Sequence, residues 1–294
     1  MKNVIVIGNL SYNINLFLNS FLIEGLEYSL TKKSKTLGNI LNISSLLSKY
    51  DLDVYYFSCV GDDYEGKEII NNLHSNKIHS DYVNIINNTK TNKNYIIRNL
   101  KNNSKTIIYE RNINKYELLR DITFNTSVIY TSSNYELTNT LKFKTNNSKI
   151  VFSLNNIDEE TLKIAKISDY IIIPVKYAEI LSNTKLNRAD KNSIINLYTL
   201  VNKLFSGKII VYDELIGSIY EHNNRLNLVP KLGSKEKIKE NSLDVYKATF
   251  IYGIANNYNL DKTIKISCIS KFLYDNDRNY TNIREVLKIY DENN

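Results

Sequence analysis

Short apolar runs rich in β-branched and aromatic residues alternate along the chain with longer stretches of helical spacing. VIVIG (4–8), VYYFSCV (54–60), SVIYTS (127–132), IVFSL (150–154), YIIIP (170–174) and IIVYD (209–213) read as strands. Between most of them the spacing predicts helices, around 39–50, 64–76, 134–142, 158–167 and 176–204. This is the rhythm of βαβ units and a largely parallel sheet. The last third changes character, with two short strands near 217–229 and helices near 242–257, 261–273 and 281–290. Two segments break the rhythm. Residues 14–36 and 94–112 read as strands, the second as a hairpin turning at KNNS. Taken as about 11–36 and 92–112, they would form a small sheet standing off the main body, a candidate lid. No internal repeat and no Pro- or Ser-rich linker divides the chain, so residues 1–294 are expected to form a single domain.

Composition narrows the classes. At 294 residues, with 43% hydrophobic and 23% charged residues, the chain has the balance of a soluble globular protein. No apolar run approaches the roughly 18–20 residues of a membrane span, and the start MKNVIVIGN reads as a first strand rather than a signal peptide. Cys59 and Cys268 lie in apolar surroundings without a CxxC pair, and His74, His79 and His222 have no partner at metal-ligand spacing. A disulfide framework and a zinc site are therefore not expected, and a reducing, cytoplasmic setting is. The net charge of +7 permits contact with a polyanion such as RNA. Its basic stretches, 31–35, 142–149 and 231–239, lack interleaved aromatics and read as solvated faces.

Neither GxxxxGK[ST] nor GxGxxG occurs. CVGDDYEG (59–66) follows a strand and opens a helix, which alone is no more than a βα turn with acids at a helix N-terminus. The order of motifs says more. A strand ending in Gly8-Asn9, a lid-like insert, Gly38 and Asn42 at a helix start, and then VGDDYEG resembles the ribokinase (PfkB) family of sugar and nucleoside kinases. SDYIIIPVKYAEIL (168–181) is similar to the family's strand and helix with an Asn-x-x-Glu element, and 209–230 to its strand, glycine and hairpin. ENSLDVYKATFIYGIA (240–255) matches Asp-x-x-x-Ala-x-Phe-x-x-Gly at Asp244, Ala248, Phe250 and Gly253.

The resemblance implies a three-layer α/β/α domain with a β-sheet lid. It also implies transfer of the γ-phosphoryl of ATP, with Mg²⁺, to a hydroxymethyl group of a sugar or nucleoside. Asp244 would be the base, and Asn241, Ser242 and Leu243 would supply the backbone anion hole at the head of a helix. Asn13, Gly38 and Asn42 would hold substrate, while Lys176, Glu179, Tyr212 and Gly217 would lie at the nucleotide. Glu179 would position Mg²⁺ through water, and the lid could pair two copies as a homodimer.

This sequence departs from the family at several of these places. Both glycines before the base are replaced, giving Ile-Lys-Glu-Asn-Ser-Leu-Asp over 238–244, and Leu243 would put a branched side chain where a phosphoryl group belongs. The substrate aspartate is Asn13, the Gly-Gly pair is Leu37-Gly38, and the Asn of Asn-x-x-Glu is Lys176. Asp213 and Glu214 bring two acids to the polyphosphate turn, where like charges repel. Asp244 itself has two readings, because Asn241-x-x-Asp244 also spells a capping box over an apolar helix face. The expectation is a family member that has lost or nearly lost transfer and acts by binding a small molecule or a macromolecule such as RNA or a ribosome. The alternative is an active, divergent ATP-dependent sugar or nucleoside kinase.

Overall fold

A computed structural model of the chain describes residues 2–102, 104–113, 125–132, 145, 147–233, 239–276 and 282–293. The main sheet has nine strands, and seven of them run parallel. These are β1 (Asn3–Ile7), β4 (Asp53–Gly61), β5 (Val83–Ile86), β8 (Val128–Thr131), β9 (Lys149–Ser153), β10 (Tyr170–Pro174) and β11 (Lys208–Asp213). The antiparallel hairpin β12 (Gly217–His222) and β13 (Arg225–Pro230) completes one edge. The spatial order is β13-β12-β11-β10-β9-β8-β1-β4-β5.

In β1, Val4 and Val6 enter one core cluster while Ile5 and Ile7 enter another, so the strand is apolar on both faces. Such continuous runs mark strands covered on both sides, as in doubly wound α/β proteins. One layer contains α1 (Asn39–Lys49), α2 (Tyr64–Ser75), α6 (Ser242–Ala255), α7 (Leu260–Asp275) and α8 (Ile283–Glu292). The other contains α3 (Glu159–Ile167), α4 (Val175–Ser182) and α5 (Lys191–Asn202). The strands and helices expected from the sequence lie within a few residues of these elements, and β5 is an addition. The helix expected around 134–142 falls outside the described residues.

The single helical stretch expected over 176–204 is corrected to two helices. Asn183 ends α4 in the left-handed region (φ 50°, ψ 36°), and the Asp190 side chain caps α5 by accepting from the Asn192 amide at 2.9 Å. Asparagine tolerates that conformation, and a capped aspartate starts a new helix more readily than it continues an old one.

The small sheet consists of β2 (Tyr12–Leu18), β3 (Lys32–Leu37), β6 (Lys93–Asn99) and β7 (Lys105–Glu110), in the order β3-β2-β6-β7. Its strands leave and rejoin the main body next to the C-terminal ends of β1 and β4. β6 and β7 turn back at 100–104, as the sequence suggested, with Arg98 paired opposite Lys105, Ile96 opposite Ile107 and Asn94 opposite Tyr109.

Candidate active site

A cleft of about 690 Å³ opens between the small sheet and the C-terminal ends of the central strands. Asn9 and Ser11 follow β1, Ser132 follows β8, and Asn155 and Asn156 follow β9 along its floor. Crevices beyond the carboxyl ends of parallel strands are where open α/β sheets bind ligands. Asn13, Gly38, Asn42 and Asn241, four of the positions singled out from the sequence, line this same cleft.

The floor is a network of side-chain amides. The Asn94 amide donates to Ser11 Oγ and Asn13 Oδ1, both at 2.8 Å, while Asn13 donates to the Leu37 carbonyl at 3.3 Å. The Asn92 amide donates to Asn9 Oδ1 at 2.8 Å. Gly38 begins α1 packed on this network, where a Cβ would lie 2.9 Å from Ser11 Oγ. Planar amides offering donors and acceptors side by side suit the hydroxyls of a carbohydrate.

At the far wall stands the head of α6, where the capping-box reading is corrected. Asn241 precedes the helix, but its side chain makes no capping bond, and it takes the left-handed conformation (φ 67°, ψ 6°). Asn241 occupies the first of the two glycine positions in the family motif, and asparagine is the non-glycine residue best suited to that conformation. Asn241→Gly is therefore expected to leave the melting temperature unchanged or raised, whereas Asn241→Val should cost about 1–2 kcal/mol. Thermal unfolding of the two variants checks this.

Asp244 does not serve as a cap either. It is 6% exposed, and its Oδ2 has no hydrogen-bond partner in the structure. Burial pushes its pKa above the usual carboxylate value, while Lys247, a hydrogen bond with Asn42 and the charge of Lys105 act in the opposite direction. Beside it the Ser242 hydroxyl, 1% exposed, also lacks a partner. Two orphaned polar atoms thus adjoin the positive end of a helix dipole.

Leu243 departs from its expected placement: its side chain packs against the apolar core cluster of that layer rather than standing over the helix head. The two acids at the β11 end differ as well. Asp213, 1% exposed, accepts from the Leu215 amide at 2.6 Å, the Ile216 amide at 3.2 Å and Arg188 Nε at 2.8 Å. Glu214 accepts from the Tyr212 hydroxyl at 3.0 Å and lies 3.3 Å from Lys271 Nζ. Each acid faces a cation, which offsets the repulsion expected from the sequence.

The remaining sequence candidates lie along the C-terminal ends of β10 and β11, outside the cleft lining. Lys176 is exposed at the start of α4, with its ammonium 4.5 Å from the centre of the Tyr177 ring. Glu179 accepts from the Leu186 amide at 2.9 Å and Lys185 Nζ at 3.2 Å, bonds that hold its pKa below the usual range against the effect of burial. Tyr212 is buried against Tyr246, its pKa raised by burial and by Glu214. Gly217 has φ 114°, and a Cβ there would meet the Val229 carbonyl at 2.1 Å, so only glycine fits. Among the described residues no group of three His, Cys, Asp or Glu could hold a metal ion. They do not form a protein cage for Mg²⁺, and no step is assigned to one.

Sequence reasoning missed Asn94, Arg98, Lys105, Arg111 and Glu240, all of which line the cleft. Asn94, Ile96 and Arg98 fall at every second residue, and the KNNS turn sets the register that brings Lys105, Ile107 and Tyr109 opposite them. That pattern could have placed these residues on one face.

A parallel sheet covered on both sides, a small sheet over its C-terminal edge and a buried carboxylate at a helix head define the architecture of an α/β phosphotransferase. The model of the pfkB family carbohydrate kinases matches residues 1–268, and the chain belongs to that family. Ribokinase from Arabidopsis thaliana, complexed with ribose and ATP, superposes with a TM-score of 0.80 at 14% identity, covering 98% of each chain. Ribokinase from Thermotoga maritima gives 0.77 at 16% identity, covering 98% of this chain and all of its own. The nucleoside kinase of Methanocaldococcus jannaschii gives 0.74 at 16% identity, covering 98% and 97%. A search of curated proteins by sequence found no match. No described helix is long and apolar enough to cross a membrane.

Proposed function

We infer that this chain is an ATP-dependent carbohydrate kinase, with Asp244 as the base that takes the proton of a hydroxymethyl group. The observation that carries this reading is the state of Asp244: buried, unused as a cap, with one oxygen free of partners and its bonded neighbour Asn42 facing the cleft. An idle buried carboxylate is unfavourable for folding, and catalytic sites are where such groups persist. Asn42 would orient the base, and Asn13 and Asn94 would hold acceptor hydroxyls. The head of α6, with Asn241, Ser242 and the backbone at Leu243, would stabilise charge on the transferring phosphoryl group. When bound, ATP supplies that group from the side of Lys176, Tyr212 and Gly217, bringing Mg²⁺ with its phosphates. The small sheet acts as a lid, and the chain works as one domain.

The test is a coupled ADP-release assay on the full chain with Mg²⁺-ATP and a panel of sugars and nucleosides, with Asp244→Asn as control. Turnover lost in the variant supports the reading. Turnover retained by Asp244→Asn overturns the assignment of the base, and absence of turnover with every acceptor overturns the kinase reading. Binding without transfer is the second reading, favoured by the exposed row Lys32, Lys33 and Lys35 on β3. It predicts retention on RNA that falls steeply as salt rises.

A further inference from the structure

The small sheet presents cations, not only amides, to the cleft. Arg98 and Lys105 sit directly opposite each other on β6 and β7, and both line the cleft. Like charges in direct cross-strand register destabilise a sheet unless an anion lies between or beside them. The guanidinium of Arg98 is aimed: its Nε donates to Asn15 Oδ1 at 3.1 Å, and its Nη2 contacts Glu240, which comes from the loop leading into α6. No described carboxylate forms an ion pair with Lys105, which is exposed. Arg111 adds a third cation to the lining, stacked 4.4 Å from the centre of the Tyr109 ring and donating to Asn94 Oδ1 at 3.1 Å. Glu240 is the one acid among the described lining residues, so the cleft wall carries an excess of positive charge.

We propose that the acceptor is an anionic sugar, a sugar phosphate or a sugar acid, whose charged group is held by Arg98 and Lys105. Glu240 occupies Arg98 as an internal carboxylate, and the substrate's anion takes over that contact. The inference rests on the kinase reading of this cleft for its account of turnover, but the binding it predicts does not need transfer. The anion is assigned to the acceptor rather than to ATP because both cations belong to the small sheet. The residues matched to the nucleotide lie instead past β10 and β11. A planar guanidinium beside an ammonium suits phosphate and carboxylate alike, the first by its fork and the second as a point charge.

The experiment uses the full chain and two readouts. In the first, kcat/KM with Mg²⁺-ATP is compared for fructose, fructose 6-phosphate, glucose and gluconate. A preference for an anionic member of at least about 100-fold is expected. Arg98→Gln and Lys105→Gln should each raise its KM about 10–100-fold, leaving the KM for ATP unchanged. Equal use of neutral and anionic sugars overturns the proposal. So does a fall in kcat at unchanged KM in these variants, which would place the cations on the transferring phosphoryl group. In the second, melting temperature is followed with each sugar and with inorganic phosphate, in the absence of nucleotide. Stabilisation by an anionic sugar beyond that given by phosphate or by its neutral counterpart, lost in both variants, supports the subsite even if no sugar is turned over. Stabilisation by phosphate alone, or by none of the compounds, overturns it.

Discussion

Asp244→Asn is expected to abolish phosphoryl transfer while making the protein more stable. Removing a general base typically lowers the rate about 10²–10⁴-fold. The stability gain follows from the surroundings of the carboxylate, which is 6% exposed with Oδ2 lacking any partner. An unsatisfied buried polar group costs about 1–3 kcal/mol, more if charged, and about 2–4 °C in melting temperature accompanies each kcal/mol in a domain near this size. The effect has a pH signature. Burial raises the folded pKa of Asp244 above its ordinary 3.8, so the folded state holds this proton more tightly than the unfolded chain. Below the ordinary value both states are protonated and Asp244→Asn should melt with the wild type. As pH rises through the raised pKa, the wild type loses stability that the variant keeps, and the gap is widest at neutral pH. Melting curves of both proteins between pH 3 and pH 8 check this without knowledge of the substrate. A variant that melts lower at neutral pH would mean that Asp244 supports the helix after all. The same raised pKa predicts that turnover falls on mild acidification, at a pH above that of an ordinary aspartate.

The main sheet was legible because its strands are written without alternation. A run such as YIIIP admits only a strand covered on both faces once helical stretches flank it. The small sheet was legible from two strand-like segments out of rhythm and from the KNNS turn. What escaped depends on residues distant in sequence. ENSLD is compatible with both a capped helix and a catalytic loop, and only the burial of Asp244 behind Asn42 and the left-handed turn at Asn241 separate the two. Leu243 looked like an obstruction because a sequence does not say which way a side chain at a helix head points. The joining of 176–204 into one helix failed at Asn183, where an abundant residue type concealed a stop signal. Abundance hid the cleft too: among so many asparagines, nothing local marks Asn13 and Asn94 as partners across a sheet.

Asp213 shows the same limit with a larger consequence, since the sequence offered it as a charge opposing polyphosphate. Its partners are Arg188, 25 residues earlier, and the amides of Leu215 and Ile216, which it gathers into the tight turn between β11 and β12. The turn is constrained on its other side by Gly217, whose φ of 114° and 2.1 Å Cβ clearance to the Val229 carbonyl leave no slack. Asp213→Ala removes the carboxylate from a site 1% exposed, leaving two turn amides and a guanidinium without their acceptor. Breaking one side of a buried ion pair typically costs about 3–5 kcal/mol. The variant should therefore unfold at markedly lower temperature or denaturant concentration. Asp213→Asn keeps a side-chain oxygen for the amides, loses only the charge pairing, and should fall between the two. If repulsion of polyphosphate were the main role of Asp213, the ordering would be different: both variants would fold like the wild type and bind Mg²⁺-ATP more tightly. Urea unfolding of the three proteins, followed by calorimetric titration of those that remain folded, separates a turn-building acid from an ATP-excluding one.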